Sequence, residues 1–592
     1  MDSKIMKNRS LFLIGMAFVI LSIFFSPGRI GTFIAENLSE DGVLSDYFIY
    51  ALIFLRIVSL ITGLSCLVFL VLSRAFPEWI QAWKKWLAGE KGAFWILVSI
   101  LILGGILRFH HLGAKSLWLD ETHTYVTLVK SDPDAFIARF RDSAAIMPPF
   151  YYMLLNLSLD LFGKSEFSMR FVSCISGILA IAAIYLIGNR LFGKQIGLIS
   201  ALILAINVFH VGYSQLARRY EISAFLAICS MLFFIDLVNR KSKVTWIAYP
   251  VVSILGLHTS HLFSLIIFTQ LFYLLTVPVL VKRTWKRLLV AFGFMLIICL
   301  PLFRVWLAWV STGGASSGFR VGDPGLMSLI NLFKRFIVND ESGWGYQVFW
   351  LLMIIGLFYR PKFKSTSVSN FNGLSNKKGK LLLLFWLVIP ITTCFLLSRY
   401  VIPSFFIYRY FGSFSIPLYI FIAAGVIVLS KRVPLIWMIW FLLVFNLFFI
   451  ILQANPLKKE QWREAVAFLE ESSTEEDLIL AQIHDVTTDN NFSSHTHKIS
   501  PLDFYYQGNA EIVGLPHSIG KEEFEPFYKS LRDKARRRKR LWLIVRKAFE
   551  RGQTLNFIRD LVGADYQESS KREWKGVLLY HFRIRQPNAI SN

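Results

Sequence analysis

Long apolar runs separated by short polar loops dominate the first 452 residues. An apolar run of about 20 residues is long enough to cross the hydrocarbon core of a bilayer as a helix. The runs predict transmembrane helices near residues 11–27, 49–73, 93–109, 222–238, 244–257, 261–280, 286–306, 346–359, 381–398, 412–430 and 434–452. The pattern therefore predicts a polytopic α-helical membrane protein.

Residues 149–211 do not divide as cleanly into spans. They hold candidate spans over 149–163, 171–188 and 196–211, of which the first two are short and are joined by a charged link. The polar loops on either side belong on one face of the membrane, which requires an even number of crossings. We therefore expect one of the first two segments not to cross completely. Counting that pair as one crossing gives about 13 spans.

The pattern changes after residue 452, where apolar stretches become short and charged residues frequent. It favours helices over 462–471 and 555–562 and strands over 478–483, 541–545 and 577–582. This alternation is typical of a compact α/β domain. We predict two additional N-terminal helices with a linker over 1–90, the main transmembrane domain over 91–452, and a small α/β domain over 453–592.

Composition narrows the class of protein. Hydrophobic residues make up 55% of the 592 residues and charged residues 17%, and the mean hydropathy is +0.52. A soluble protein cannot bury that much apolar surface, which excludes a cytosolic enzyme, a secreted disulfide scaffold and a disordered protein. All five cysteines lie in apolar runs, so neither a disulfide framework nor a paired-cysteine metal site is predicted.

The net charge of +24 is explained mainly by membrane topology, because Lys and Arg collect in cytoplasmic loops. Basic loops after the second span and at 240–243, 282–287 and 431–432 are placed in the cytoplasm by this rule. It predicts a cytoplasmic N-terminus and puts the loop 110–148 and the C-terminal domain outside. Contact with an anionic lipid substrate is a second use of the excess charge, and no nucleic-acid partner is expected.

Adjacent carboxylates in the predicted outer loop are the first candidate for chemistry. Asp120 and Glu121 follow Trp118 and Leu119, close to the end of a span. Partial desolvation raises the pKa of a carboxyl group and makes it a better proton acceptor near neutral pH. The alternative is an N-terminal cap for a helix that begins near Thr122, since Asp is a good capping residue.

Two clusters of arginine and tyrosine lie at predicted outer ends of spans. Arg218 stands between Tyr213 and Tyr220, where guanidinium groups can bind a phosphate while aromatic rings hold an amphipathic ligand. Anchoring at the membrane interface is the equally weighted alternative. Arg399 and Arg409 form the second cluster. Arg409 directly precedes an apolar run, so its charged group must reach the interface or find an anion.

His258 and His261 lie three residues apart at a tight turn, a spacing that brings two imidazoles to one face of a helix. Two histidines without a nearby carboxylate are a weak metal signal. We favour a polar lining role over metal ligation.

The sequence resembles bacterial membrane glycosyltransferases of the GT-C superfamily, in the family 39-like group related to protein O-mannosyltransferases and to the aminoarabinose transferase of lipid A. The resemblance covers about residues 90–580. It is carried by SLWLDE at 116–121, PPFYYMLL at 148–155, LFGKSEFSMR at 161–170, YSQLARRY at 213–220, residues 408–419, Trp462-Arg463 and residues 540–545.

The resemblance implies a GT-C fold and a reaction at the outer face of the bacterial inner membrane. A sugar on a polyprenyl phosphate would pass to a hydroxyl of an acceptor protein, lipid or glycan. Asp120 matches the catalytic aspartate of the family, with Glu121 beside it. Arg218 and Tyr220 match a second outer cluster, and Arg409 matches an arginine near the donor phosphate.

Two departures from the family pattern leave a divalent metal open as the only cofactor to consider. Met147 stands where relatives often have a cationic or polar residue, and Tyr220 stands where some have aspartate. Arg139 or Arg141 is a candidate to replace the missing cation.

The resulting hypothesis is an inverting transfer with Asp120 as the base and Arg218 and Arg409, with Arg399 as a further candidate, on the phosphate. A lipid or glycan transporter or flippase is the first alternative, and it predicts ionisable residues or broken helices near the middle of the membrane. An oligosaccharide ligase and a non-catalytic scaffold are the others.

Overall fold

A computed structural model describes residues 89–125, 148–239, 244–311, 324–339, 345–359, 376–401, 406–453, 460–482, 500–515, 521–547 and 566–584, with isolated positions between 12 and 67. Most of the predicted N-terminal region 1–90 lies outside the described residues. The predicted helix over 555–562 and the positions of Arg139, Arg141 and Met147 lie outside them as well.

Helices make up the described part of the chain up to residue 453. They are α1 Glu90–Phe109, α2 Leu119–Thr124, α3 Phe150–Phe162, α4 Glu166–Phe192, α5 Lys194–Ile206, α6 Val208–Ser214, α7 Tyr220–Val238, α8 Thr245–Leu257, α9 Ser264–Thr276, α10 Pro278–Ser311, α11 Leu326–Val338, α12 Tyr346–Leu357, α13 Asn376–Tyr400, α14 Gly412–Leu429 and α15 Leu435–Gln453. Every predicted span from residue 93 onward falls mostly on helix. The prediction of a basic loop at 282–287 is wrong, because these residues lie inside α10 and the chain breaks at Val277 instead.

Five helices in the described residues are long and apolar enough to cross a membrane, and a bent pair raises that number to six. The five are Glu90–Phe109, Glu166–Phe192, Tyr220–Val238, Lys377–Tyr400 and Tyr408–Leu429. The chain is therefore a multi-pass membrane protein. α3 has 13 residues, about 20 Å of helix, which is shorter than the hydrocarbon core. This agrees with the expectation that one of the first two segments after residue 148 does not cross; the total of about 13 spans stays a prediction.

The predicted span 196–211 is broken at Asn207, where α5 and α6 meet at 58°. The Asn207 side chain accepts from the backbone N–H of His210 at 3.0 Å and so caps α6. The carbonyls of Leu204 and Ala205 accept from the buried Arg108 guanidinium at 3.0 and 2.8 Å. These partners satisfy the backbone groups that the break would leave unpaired in an apolar surrounding.

Close backbone contact holds α12 against α14. A Cβ atom on Gly356 would collide with the carbonyl group of Phe421, and one on Gly425 would collide with the carbonyl group of Leu352. Glycine at both positions allows the two helix backbones to touch, as small residues do in membrane proteins. Ile416 to Val426 of α14 are buried on every side, which places this helix in the centre of the bundle.

The C-terminal region is a small α/β domain, as predicted. Its elements are α16 Trp462–Ser472, β1 Leu478–Gln482, α17 Ser500–Tyr505, β2 Glu511–Gly514, α18 Lys521–Arg536, β3 Arg540–Arg546, β4 Tyr566–Trp574 and β5 Val577–Ile584. The sheet order is β2-β1-β3-β5-β4. β1 pairs in parallel with β2 and β3, while β5 pairs antiparallel with β3 and β4. The helix at 462–471 and all three predicted strands are confirmed.

Candidate active site

Asp120 lies between two guanidinium groups that come from distant parts of the chain. Its Oδ2 atom is 2.9 Å from Arg218 Nη2 and 2.9 Å from Arg409 Nη1. Arg218 belongs to the turn between α6 and α7, and Arg409 to the 3-10 turn Tyr408–Phe411 that leads into α14. The structure thus brings together the three residues on which the sequence hypothesis depends.

The short helix α2 carries Asp120 in its first turn. α2 begins at Leu119 with Trp118 as the N-cap residue, so the alternative in which Asp120 caps a helix beginning near Thr122 is wrong. Arg218 Nη1 donates to Thr124 Oγ1 at 2.9 Å, which attaches the end of α2 to the same arginine that pairs with Asp120.

Glu121 is buried beneath Asp120 in a closed ion pair. Arg170 of α4 donates to both of its oxygens at 3.0 Å, and neither side chain is more than 1% exposed. The backbone N–H groups of Trp118 and Ala217 complete the pairing of the two oxygens, at 2.9 and 2.7 Å. Because Ala217 directly precedes Arg218, Glu121 fixes α2 against the turn that carries the arginine. The geometry shows Glu121 holding α2 in place, and the catalytic role expected for it stays a prediction.

Arg170 is a functional residue that sequence reasoning missed. Besides Glu121, its guanidinium donates to the carbonyls of Leu112, Lys115 and Ser116 at 2.8 to 2.9 Å. It therefore sets the course of the chain from the end of α1 to α2. The available signal was a charged residue one turn inside an apolar helix, which is rare without a specific partner.

The net pKa of Asp120 lies below the ordinary carboxyl value. Burial raises the pKa of this side chain, but the positive charges of Arg218 and Arg409 lower it by more. Desolvation acts in the expected direction, but the expectation of a raised net pKa is wrong, because the two arginines reverse the shift. Burial in turn lowers the pKa of Arg218, but Asp120 together with the neighbouring tyrosines raises it by more, so that the net pKa of Arg218 is raised. Asp120 is a carboxylate and both arginines are cations at neutral pH.

The two guanidinium groups keep donors that Asp120 does not use. The Nε atoms of Arg218 and Arg409 are buried, and neither has a hydrogen-bond partner among the residues that the structure describes. A buried polar donor without a partner is costly, and it is commonly matched by a ligand or water. The cluster is thus built to accept a further anion or hydroxyl group.

Tyrosine rings surround the arginines. Tyr220 packs edge-on against Tyr213 with ring centroids 5.2 Å apart, and its ring lies 6.0 Å from that of Tyr410. The Arg409 guanidinium lies 5.7 Å from the Tyr410 ring. The predicted residues Tyr213 and Tyr220 therefore belong to the same cluster as Asp120.

Arg335 is a second residue that sequence reasoning missed. It lies on α11, and its guanidinium is 3.8 Å from the centroid of the Tyr408 ring, directly before Arg409. Its position on a helix between two long loops gave no sequence signal, because only the packing of α11 brings it to this end of the bundle.

Comparison with known proteins identifies the fold. Residues 147–309 match the family described as dolichyl-phosphate-mannose-protein mannosyltransferase. The crystal structure of ArnT from Cupriavidus metallidurans in the apo state superposes with a TM-score of 0.53 at 12% identity, covering 82% of this chain and 97% of that chain. The chain has the GT-C fold. The GT-C resemblance and the fold class predicted from the sequence are confirmed.

Two further relatives extend the comparison. ArnT from the same organism bound to undecaprenyl phosphate also superposes with a TM-score of 0.53, at 13% identity over 83% of this chain and 98% of that chain. An uncharacterized protein of Aquifex aeolicus (strain VF5) is 25% identical over 159 residues, 26% of this chain and 32% of the relative. The chain thus spans about a third of that relative's length.

The family match covers only some of the residues of the candidate site. The matched segment 147–309 contains Arg170, Arg218 and Tyr220, whereas Asp120 precedes it and Arg409 follows it. The family match therefore gives no support for roles of Asp120 and Arg409, and the evidence for these residues is the set of ion pairs described above.

The ion pairs described above do not include the remaining predicted residues Arg399, His258 and His261. Arg399 is exposed at the end of α13. His258 follows α8, where its carbonyl accepts from Phe150 N–H at 2.9 Å and its Nδ1 atom lies 2.9 Å from the Ile254 carbonyl, so it joins α3 to α8. His261 begins the 3-10 turn His261–Phe263. In the described part of the chain no three His, Cys, Asp or Glu residues form a group able to hold a metal.

Proposed function

We propose that this GT-C protein is a membrane glycosyltransferase that moves a sugar from a polyprenyl-phosphate donor to an acceptor hydroxyl. The observation that carries the proposal is the Asp120 carboxylate held between Arg218 and Arg409. The family description names a dolichyl-phosphate mannose donor, and ArnT binds undecaprenyl phosphate. The reaction would take place at the outer face of the bacterial inner membrane, with the N-terminus in the cytoplasm and the C-terminal domain outside.

Arg218 and Arg409 would bind the donor phosphate. Guanidinium groups form strong charge-assisted hydrogen bonds with phosphate oxygens, and the two buried Nε donors supply contacts that Asp120 does not use. The rings of Tyr213 and Tyr220 belong to the same cluster and could pack against the apolar start of an isoprenoid chain or the face of a sugar.

Donor binding would also activate Asp120. With the donor absent, the two arginines hold the pKa of Asp120 low, which makes the carboxylate a weak base. A phosphate that shares these arginines neutralises part of their charge, so the pKa of Asp120 rises towards its ordinary value. The base would thus gain proton affinity only once the donor is in place.

The chemical step follows from this arrangement. The acceptor oxygen attacks the anomeric carbon while Asp120 takes its proton, a contribution of about 10²–10⁴-fold. The bond from that carbon to the phosphate oxygen breaks, and its electron pair stays on the departing polyprenyl phosphate. Arg218 and Arg409 interact more strongly as charge develops on the phosphate, which stabilises the transition state more than the ground state. One displacement from the opposite side inverts the anomeric centre.

The test is comparative lipid mass spectrometry of a deletion strain. A lipid-phosphate sugar is expected to accumulate, and wild-type protein should remove it. Asp120→Asn should leave it in place, because the amide cannot accept the proton. Asp160→Asn, an exposed aspartate on α3, is the matched control and should behave like wild type. Full activity of Asp120→Asn would remove the proposed base.

The same measurement separates two of the alternatives from the proposed transfer. An oligosaccharide ligase would leave an accumulated lipid-diphosphate glycan in the deletion strain. A transporter would leave an intact lipid on the wrong face and no change in acceptor glycosylation. The broken helix at Asn207 and the buried pair of His210 and Glu221, whose Nδ1 and Oε1 atoms are 2.9 Å apart, are features that transporters share. Only the short helix α6 separates that break from the turn of Arg218, so it lies at the Asp120 end of the bundle.

A further inference from the structure

The C-terminal domain contacts the chain segment directly before Asp120. The Tyr505 hydroxyl on α17 accepts from Leu117 N–H at 2.6 Å and lies 3.3 Å from Glu166 Oε1, to which it donates. Leu117 is fully buried, and its amide lies three residues before Asp120. This hydrogen bond therefore joins the C-terminal domain to the segment that precedes Asp120 and positions its carboxylate.

Phe504, the residue before Tyr505 on α17, contacts the other end of α2. The Phe504 ring packs edge-on against Tyr125 with centroids 4.9 Å apart. The Lys164 ammonium lies 5.0 Å from the Phe504 centroid and 5.3 Å from the Tyr125 centroid, which adds a cation–π contact from the transmembrane side. α2 has six residues and is too short to be stable by itself. It is therefore held at both ends by neighbouring residues of α17.

A second element of the domain holds the same segment. Arg463 on α16 donates from its backbone N–H to Ser116 Oγ at 2.9 Å and from Nη2 to the Ala114 carbonyl at 2.8 Å. Leu119 is buried in the core of the C-terminal domain together with Trp462. The residues on both sides of Asp120 are thus packed partly as members of the C-terminal domain.

We propose that Tyr505 is a positioning residue for the transfer reaction, acting through Leu117 to keep Asp120 against the two arginines. The inference rests on the proposed function. The ion pair of Glu121 with Arg170 attaches α2 to the transmembrane helices. Tyr505 and Phe504 attach the residues at its two ends to the C-terminal domain. Loss of the tyrosine hydroxyl leaves a buried backbone amide without this acceptor and frees the segment. A shift of about 1 Å in a catalytic group costs up to about 100-fold in rate.

The test compares Tyr505→Phe with Tyr506→Phe in the full-length protein in lipid nanodiscs. Tyr506 is the matched control because its hydroxyl bonds stay inside the domain, with Ser473 at 3.1 Å and Ala510 N–H at 3.3 Å. Tyr505→Phe should lower kcat about tenfold or more with less than about a twofold change in the KM for the lipid donor. Tyr506→Phe should leave both constants unchanged. Equal effects of the two variants would overturn the inference.

Two further measurements separate this inference from the proposed function. Hydrogen exchange of the amides over 116–125 should become faster in Tyr505→Phe alone, and this readout does not need a substrate. Unchanged exchange overturns the positioning role, whatever the activity. Faster exchange in a protein without transferase activity supports the contact between Tyr505 and the Leu117 segment and rejects the proposed function. In an Asp120→Asn background, Tyr505→Phe should cause no additional loss of kcat, and an additive loss would contradict an action through Asp120.

Discussion

The Arg409 guanidinium and the Asp120 carboxylate meet at 2.9 Å although 289 residues separate them in the sequence. Arg218 reaches the same carboxylate oxygen, so two positive groups face one negative group and one positive charge remains uncompensated. A cluster of this charge stabilises an anion, and the anion proposed above is the phosphate of the lipid donor.

The first prediction concerns the affinity for that phosphate. Arg409→Ala should weaken binding of undecaprenyl phosphate about tenfold or more, because it removes a charge-assisted contact in a partly desolvated site. Arg409→Lys should recover only part of the affinity, since an ammonium group cannot reproduce the fork of the guanidinium. Titration of the lipid against the purified protein, followed by native mass spectrometry, measures both. Arg432→Ala, at an exposed position after α14, serves as control and should bind like wild type. Equal affinities of Arg409→Ala and Arg432→Ala would contradict the phosphate role.

The second prediction is a pH dependence of stability. The folded-state pKa of Asp120 is lowered, so its ionised form stabilises the fold at pH values above the ordinary carboxyl pKa of about 3.9. This contribution disappears as the pH falls through the lowered folded-state pKa. Wild type should therefore have a higher melting temperature than Asp120→Asn near pH 7, and the two should converge below about pH 4. Thermal unfolding in detergent at a series of pH values measures the gap. Asp160→Asn, at an exposed position of α3, should melt at the wild-type temperature near pH 7. A gap between wild type and Asp120→Asn that is constant with pH would argue against the ion pairs.

Sequence reasoning located the Asp120 cluster because topology restricts where loops lie. The apolar runs and the distribution of basic residues put Asp120, Arg218 and Arg409 at the same end of their spans. The resemblance to the GT-C superfamily then singled out the same residues. What remained to be learned was the pairing between them, which depends on how the helices pack.

The wrong expectations have physical reasons of the same kind. The pKa of Asp120 was expected to rise because desolvation can be inferred from a neighbouring span, whereas its two cationic partners come from tertiary structure. The partner of Glu121 is Arg170, which sequence alone places merely in a charged link. The break at Asn207 is hidden within a continuous apolar run. β4 was missed because Gln567 to Glu573 are exposed and polar, without the alternation that marks a half-buried strand.

The third prediction concerns the buried pair beneath the site. Glu121→Gln should destabilise the protein by about 3–5 kcal/mol, because it leaves the Arg170 charge buried and uncompensated. The double variant Glu121→Gln/Arg170→Met should be more stable than Glu121→Gln alone, since it also removes that charge. Melting temperatures and a double-mutant cycle test both statements. Glu573→Gln breaks the exposed pair with Lys547 and should cost less than about 1 kcal/mol. A single variant Glu121→Gln as stable as Glu573→Gln would show that the buried pair does not hold α2.

The last prediction addresses the helix contact at the centre of the bundle. Gly356→Ala should destabilise the protein by about 1–3 kcal/mol, because the new methyl group collides with the carbonyl of Phe421 and forces α12 away from α14. Gly293 on α10 is the matched control, since nothing lies within 4 Å of a Cβ atom built there. Gly293→Ala should leave stability unchanged or raise it by about 0.5–1 kcal/mol through the higher helix propensity of alanine. The melting temperature of Gly356→Ala should therefore lie below the wild-type value, and that of Gly293→Ala at or above it. If both moved by the same amount, the shared effect would belong to glycine replacement in general, and close contact between these two helices would not be what the glycine provides.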